Sequence, residues 1–280
     1  MSYAISRHKD VTVIWVSYCD ELEQDFLLTA DRHWDNPFSD HNLQVKHLKQ
    51  AAALGAGVLD FGDFFCAMQG KYDPRASKDS LRPEHKVDDY FDALVDTAVE
   101  FFNPYKNLFI LIAAGNHETS IRKRHEIDLT KRLVKGLGGA PHVGGYTGWV
   151  QFRFMDIPTS KFDIVNLWYT HGYGGGGPVT KGVIQTARRA AYNPDAQIIV
   201  TGHIHEDWAL TVTRQRLMPD FTVKLEPQLH VQVPTYKDEF KSDGWTVERG
   251  SPPKPIGARW LRFRKSRGDD AVHYDAGKAE

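Results

Sequence analysis

The sequence predicts an α/β protein made of two packed β-sheets with helices outside. Three observations carry that prediction. Short apolar, β-branched runs recur through the first two thirds of the chain and stop abruptly at polar residues. Helical patterns lie between several of these runs. After His205 the texture turns to strands without long helices between them. Apolar runs this short suit buried strands. Sheets and helices with apolar faces must bury them against one another, which gives packed sheets with helices outside.

In chain order, the expected strands of the first part are Val11 to Val16, Phe26 to Ala30, Val58 to Phe61, Leu108 to Ala114, Ile164 to Thr170 and Gln197 to Thr201. Helices are expected at Leu43 to Leu54, Val87 to Phe102, Ser120 to Lys135 and Lys181 to Ala191. The second is the clearest. Its apolar residues, among them Val87, Tyr90, Phe91, Leu94, Val95 and Ala98, recur at helical spacing and make one face. Pro104 closes it. In the last third, strands are expected at Trp208 to Thr213, Phe221 to Leu225, Leu229 to Val233 and Arg259 to Arg264, the last alternating like a half-buried strand. A single domain is expected over residues 1–267, with a polar surface insertion near 70–85. Gly268 to Glu280 holds few apolar residues and is expected to be a flexible tail.

At 280 residues, 41% of them hydrophobic, the chain can bury a substantial core. Lys and Arg number 35 against 36 Asp and Glu, so no overall charge draws it to nucleic acid or to an anionic membrane. Cys19 and Cys66 are too few for a disulfide framework and are expected to stay reduced in a cytoplasmic protein. The start, MSYAISRHKD, has no signal-peptide apolar stretch, and the longest apolar run, Leu108 to Ala114, is too short to span a bilayer.

The residues just after each strand carry the chemistry. Phe26 to Ala30 leads to Asp31-Arg32-His33, and Val58 to Phe61 to Gly62-Asp63. Leu108 to Ala114 leads to Gly115-Asn116-His117-Glu118, Ile164 to Thr170 to His171-Gly172, and Gln197 to Thr201 to Gly202-His203-Ile204-His205. Open α/β sheets bind ligands at the carboxyl ends of their strands, so these loops can share one crevice. Carboxylate, amide and imidazole donors suit divalent manganese, iron or zinc. In Asp31-x-His33 and His203-x-His205, an extended backbone would point both side chains the same way. Gly62, Gly115 and Gly202 permit sharp turns and close approach.

The ordered set DRH, GD, GNHE, H and GHIH resembles the calcineurin-like metallophosphoesterase superfamily, over Asp31 to His205. The segments ADRHWDNP, FGDFFCAMQGKYDP and GNHETS also resemble metallophosphoesterases of tailed bacteriophages, which would put the protein in host-cell cytoplasm. The resemblance implies a four-layer αββα sandwich of two mixed β-sheets flanked by helices. It implies that Asp31, His33 and His205 hold one metal, that Asn116, His171 and His203 hold a second, and that Asp63 bridges them. Manganese is expected, with iron or zinc as alternatives. His117, not a ligand, would act catalytically by stabilising the charged transition state or protonating the leaving oxygen, with Glu118 orienting it.

The activity implied is phosphoester hydrolysis by a hydroxide shared between two metals. Two divalent ions bring about +4 charges, and two carboxylates and the hydroxide remove about 3, which leaves a net attraction for an anionic ester. A phosphodiesterase, including a nuclease, is preferred because GHIH resembles that branch. GNHE resembles the protein-phosphatase branch, but its GDxVDRG block is absent, since Phe64-Phe65-Cys66 follows Gly62-Asp63. A phosphomonoesterase or protein phosphatase stands as the alternative, as does an inactive binding module, against which all seven ligand positions carry competent side chains. The partner expected is a phosphoester, with nucleic acid or nucleotide among the candidates, and no membrane.

Weaker features surround this set. Asn116, His117 and Arg122 are candidate substrate contacts. Arg122, Lys123 and Arg124 form either a solvated face or a phosphodiester contact. Gly174 to Gly177 form either a flexible loop or a phosphate cradle, without P-loop spacing. Trp34 and Asp35 would line the crevice, with Asp35 supporting a ligand.

Overall fold

The structure, a computed structural model, describes residues 3–68, 81–175, 177, 179–240, 250 and 252–280. Its strands are β1 (Tyr3–His8), β2 (Val11–Tyr18), β3 (Leu22–Thr29), β4 (Gly57–Asp60), β5 (Phe109–Ile112), β6 (His142–Val143), β7 (Thr147–Asp156), β8 (Lys161–Thr170), β9 (Ile198–Thr201), β10 (Trp208–Leu217), β11 (Val223–Gln232), β12 (Arg259–Lys265) and β13 (His273–Lys278). Its helices are α1 (His41–Ala53), α2 (Tyr90–Phe102), α3 (Asn116–His125), α4 (Leu129–Gly136) and α5 (Gln185–Tyr192).

Two mixed sheets form, as expected. One runs β1-β2-β7-β8-β9-β11-β10 and the other β13-β12-β3-β4-β5-β6. Apolar residues of both, including Ile14, Phe26, Phe152, Leu167, Val200 and Phe263, form the core between them. A second core lies between the outer face of the six-stranded sheet and α1, α2 and α4. The short α5 contacts β10 of the seven-stranded sheet. β3, β4 and β5 are mutually parallel, as are β8, β9 and β11. Their carboxyl ends therefore deliver several loops to one edge of the sandwich. No described helix is long and apolar enough to cross a membrane.

The structure corrects several expectations. Residues 268–280 are not a loose tail. His273–Lys278 pairs antiparallel with β12, and Val272, Tyr274 and Ala276 pack on the inter-sheet core. β1 and β7 had no expected counterpart, and β7 buries Val150, Phe152 and Phe154 on alternate positions. β10 and β11 form one long hairpin. β11 runs through Pro227, which is tolerated because β9 begins to pair only at Leu229 and leaves one flank of the strand open there. The helix expected over Ser120 to Lys135 is two helices. Glu126 takes a left-handed φ of 57°, and the Asp128 carboxylate accepts from Lys131 N to cap α4. The α2 pattern begins at Tyr90, and Val87 is exposed. Most of the expected insertion lies outside the described residues; at its end, Pro83–His85 forms a 3₁₀ turn that buries His85.

Under the carboxyl ends of β3 and β4, Arg32 is fully enclosed. Its Nε donates to Asp60 Oδ2 at 2.6 Å, Nη1 to Gln44 Oε1 and Nη2 to Thr29 Oγ1. The rings of Phe64, Phe102, Phe109 and Tyr236 surround the guanidinium at 5.2–5.5 Å. A buried charge is tolerated when paired and hydrogen-bonded, and removing one partner strands the other. Arg32→Ala should therefore lower unfolding free energy by about 3–5 kcal/mol in urea titrations, and a loss within error would refute this role.

Candidate metal centre

The loop ends meet as the sequence order suggested. Two of the donor groups that form among the described residues are Asp31 with His33 and His205, and Asp63 with His171 and His203; within each, donor atoms lie within 4.8 Å of one another. In the first, Asp31 Oδ1 is 3.3 Å from His205 Nε2 and 3.9 Å from His33 Nε2, and the two imidazole nitrogens are 3.3 Å apart. The groups adjoin through His171 Nε2, 3.0 Å from Asp63 Oδ2 and 4.0 Å from Asp31 Oδ1. One end of the Asn116 carboxamide faces His171 Nε2 at 3.1 Å, Asp63 Oδ2 at 3.2 Å and His203 Nδ1 at 2.7 Å. His117 Nε2 stands 3.7 Å from Asp63 Oδ2.

This convergence of lone pairs fits cations. Asp31 Oδ1 is buried and accepts no hydrogen bond among the described residues. Carboxylates enclosed beside imidazoles are costly unless a positive charge sits among them, and the donor set of oxygen and imidazole nitrogen suits a first-row divalent ion. The ring orientations agree. His171 Nδ1 bonds to the Phe61 carbonyl at 3.0 Å, which leaves Nε2 to face the site. His205 Nδ1 lies 3.7 Å from Glu239 Oε1, and Lys237 Nζ donates to the same oxygen at 2.9 Å.

Backbone geometry sets these directions, and here an expectation fails. Asp31, His33, Asp63, His203 and His205 are not extended; all have φ between 45° and 72°. Left-handed non-glycine residues each cost on the order of 1–3 kcal/mol and persist only where the surroundings over-determine them. The surroundings do. Asp31 N donates to Gly62 O, His33 N to Asp63 O and Trp34 N to Phe64 O, which stitches the loop after β3 to the loop after β4. His203 N donates to Asp31 Oδ2 at 2.8 Å, while Thr235 Oγ1 and Tyr236 N donate to Asp31 O. The expected close approach at Gly115 is present, since a Cβ there would stand 2.1 Å from Asp63 Oδ1 and 2.4 Å from Asp63 N.

Electrostatics reflect burial and neighbours. Burial alone would raise the Asp63 carboxyl, but His171, His117 and His33 hold it well below the usual carboxylate range. Burial opposes charge on His171, yet Asp63 and Asp31 raise it to about 10. Against the same penalty, Asp31 and Glu239 raise His205 to about 9. His33 is held far below its ordinary value by burial and by His117 and His205; His203 is lowered by burial and His171.

Other sequence-predicted residues take different places. Glu118 is not what orients the His117 ring, whose Nδ1 bonds to the Cys66 carbonyl. The Glu118 carboxylate accepts from the backbone N–H groups of Asp63, Phe65 and Gly115, joining two loops. Asp35 accepts from Cys66 N at 2.6 Å and Ala67 N at 2.9 Å, and the Cys66 carbonyl in turn bonds His117 Nδ1. Trp34 does not line the crevice; it stacks on His41 at 3.9 Å and is buried. Arg122 is exposed, its guanidinium 3.9 Å from Asp128, and Lys123 and Arg124 are exposed beside it. Gly176 lies outside the described residues. Lys237 and Glu239 were missed. They come after β11, whose carboxyl end lies beside that of β9, so inspecting the residues beyond Leu229 to Val233 would have found them.

No protein-family model matches the chain, and no curated protein matches it. Solved structures do. A predicted phosphoesterase of Streptococcus pneumoniae TIGR4 aligns with a TM-score of 0.30 and 10% identity, covering 91% of this chain and 98% of its own. Vps29 of Entamoeba histolytica, in complex with zinc, aligns at 0.34 and 11%, covering 91% and 99%. GAP50 of Plasmodium, described as the anchor in the inner membrane complex, aligns at 0.43 and 9%, covering 92% and 89%. The fold assignment rests on the strand order of this chain.

The geometry gives two expected outcomes. Gly115→Ala should force Asp63 out of place and lower manganese bound at saturation, read by elemental analysis; full retention would refute the close-approach argument. His171 and His205, protonated below about 10 and 9 in the metal-free chain, must lose their protons to ligate. Metal affinity should therefore rise from pH 6 to 9. Calorimetry in buffers of different ionisation enthalpy should show about two protons released near pH 7.5. A pH-independent affinity would contradict it.

Proposed function

We propose that the chain is a calcineurin-like metallophosphoesterase that hydrolyses phosphoesters with two divalent cations, and that phosphodiesters, nucleic acid among them, are its preferred substrates. The observation that supports this is the meeting of two adjoining donor groups with His117 beside them. Asp31, His33 and His205 would hold one cation, Asn116, His171 and His203 the other, with Asp63 shared. Manganese suits these donors, and iron or zinc is compatible. Two such cations, when bound, lower the pKa of a shared water and stabilise charge on the phosphoryl oxygens.

The chain's own residues supply the rest. His117 is anchored through Nδ1 to the Cys66 carbonyl, so Nε2 is the atom presented to substrate. From there it protonates the leaving alkoxide. Asp35 acts through the backbone, fixing the segment that holds this carbonyl. Glu118 keeps the loops after β4 and β5 together, and with them Asp63 and Asn116. The GHIH segment and the missing arginine after Gly62-Asp63 favour a diester over a phosphoprotein.

With manganese added, bis-p-nitrophenyl phosphate or single-stranded DNA should be cleaved faster than p-nitrophenyl phosphate, and activity on the monoester alone would overturn the diester preference. Asp63→Ala should lose metal and turnover together; a binding module would lose no turnover because it has none. His117→Ala should keep its metals while turnover drops by about 10²–10⁴, and unchanged turnover would remove its role.

A further inference from the structure

The Cys66 side chain has no part in the hydrolytic reading, yet its thiol stands among that site's imidazoles. One donor atom from each of His33, Cys66 and His117 lies within 4.8 Å of the other two, and all three residues are buried. The cysteine is free, and its Sγ lies 3.4 Å from Met68 Sδ. A second observation points to a ligand. His33 is only 2% exposed, and its Nδ1 has no hydrogen-bond partner among the described residues. A histidine that binds a metal through one nitrogen ordinarily donates from the other to a carboxylate or carbonyl. Among the described residues His33 has no such acceptor. Two imidazoles, a thiol and a thioether make a softer donor set than the oxygen and imidazole groups beside it.

We infer that His33, Cys66 and His117, with the Met68 thioether next to the thiol, form a third cation site that takes a thiophilic ion such as Cd²⁺ or Zn²⁺, and that filling it stops hydrolysis. In the manganese-loaded protein, where His33 would already hold one cation through one ring nitrogen, binding makes a metal–sulfur bond and a second bond to the His33 ring, and it breaks the Cys66 S–H bond and the remaining His33 N–H bond; both protons leave to solvent and no electron moves. Ions that prefer oxygen, such as Mg²⁺ and Mn²⁺, gain little from a thiol and a thioether and stay in the neighbouring groups. Inhibition arises because His117 can no longer present a free nitrogen and because His33 is shared. The site itself depends on these four side chains and not on any hydrolysis; its inhibitory effect rests on the proposed hydrolysis.

The test titrates manganese-loaded protein with Cd²⁺ and reads the ultraviolet cadmium–thiolate charge-transfer band. The band should saturate at one equivalent, persist in Cys19→Ser and vanish in Cys66→Ser. Cys66→Ala, which adds no buried hydroxyl, keeps the experiment decisive if the serine variant does not fold. In parallel, one equivalent of Cd²⁺ should cut wild-type hydrolysis of bis-p-nitrophenyl phosphate by about 10²-fold or more, as expected when a general acid is withdrawn, while Cys66→Ala should keep its own uninhibited rate. A band unchanged in the Cys66 variants, or lost in Cys19→Ser, overturns the site. Equal cadmium sensitivity of Cys66→Ala and wild type overturns the inhibition. Absence of any ester hydrolysis refutes the functional proposal instead, and the band still decides the site.

Discussion

Backbone hydrogen bonds between neighbouring strand-end loops hold this centre together. The loop after β3 is fastened to the loop after β4 by three N–H···O=C bonds, and the loop after β9 is fastened to the first through the Asp31 carboxylate. Those bonds impose left-handed conformations on five of the seven residues proposed as ligands. The resulting strain is local, and the paired sheets behind it bear the cost. The parallel arrangement of β3, β4 and β5, and of β8, β9 and β11, is what brings these loops to one edge at all.

Charge explains why such an arrangement stays in register. Asp31 and Asp63 are buried, and imidazoles crowd around them. In the metal-free chain, protons on His171 and His205 balance the carboxylates; cations can take over the same task. Beneath them, the Arg32–Asp60 pair carries a second enclosed charge network that joins β4 to the DRH segment and leaves that segment little freedom. The two networks share a chain segment but not atoms, so stability and metal binding can be separated by substitution.

Much of this is legible in the sequence alone. The strand-end rule picked out the five loops that carry the seven residues proposed as metal ligands and His117, because each loop follows a short apolar run; the family resemblance, not the rule, assigned the roles within them. Asp35 was also visible as a support, although through the backbone of residues 66 and 67 rather than through a ligand. The features that escaped did so for physical reasons. Glu118 was assigned by sequence adjacency to His117, but on a helix its side chain points back toward the preceding turn, where it meets free N–H groups. Trp34 comes just after the ligands in sequence yet packs on His41 and α2, since a large indole is worth more buried than lining a wet crevice. The terminal strand β13 escaped because only Tyr274 and Ala276, with Val272 just before it, mark its inward face.

By itself, the sequence determined the donor types, their order and the apolar runs that place them at strand ends, because donor chemistry and burial patterning are written residue by residue. Only the tertiary structure decided which donors share an ion-sized space, which histidine nitrogen faces it, and that Lys237, Glu239 and the Cys66 thiol belong to the neighbourhood. Those facts depend on distances between segments far apart in the chain. Loop-to-loop hydrogen bonds and sheet pairing set such distances, and no local pattern encodes them.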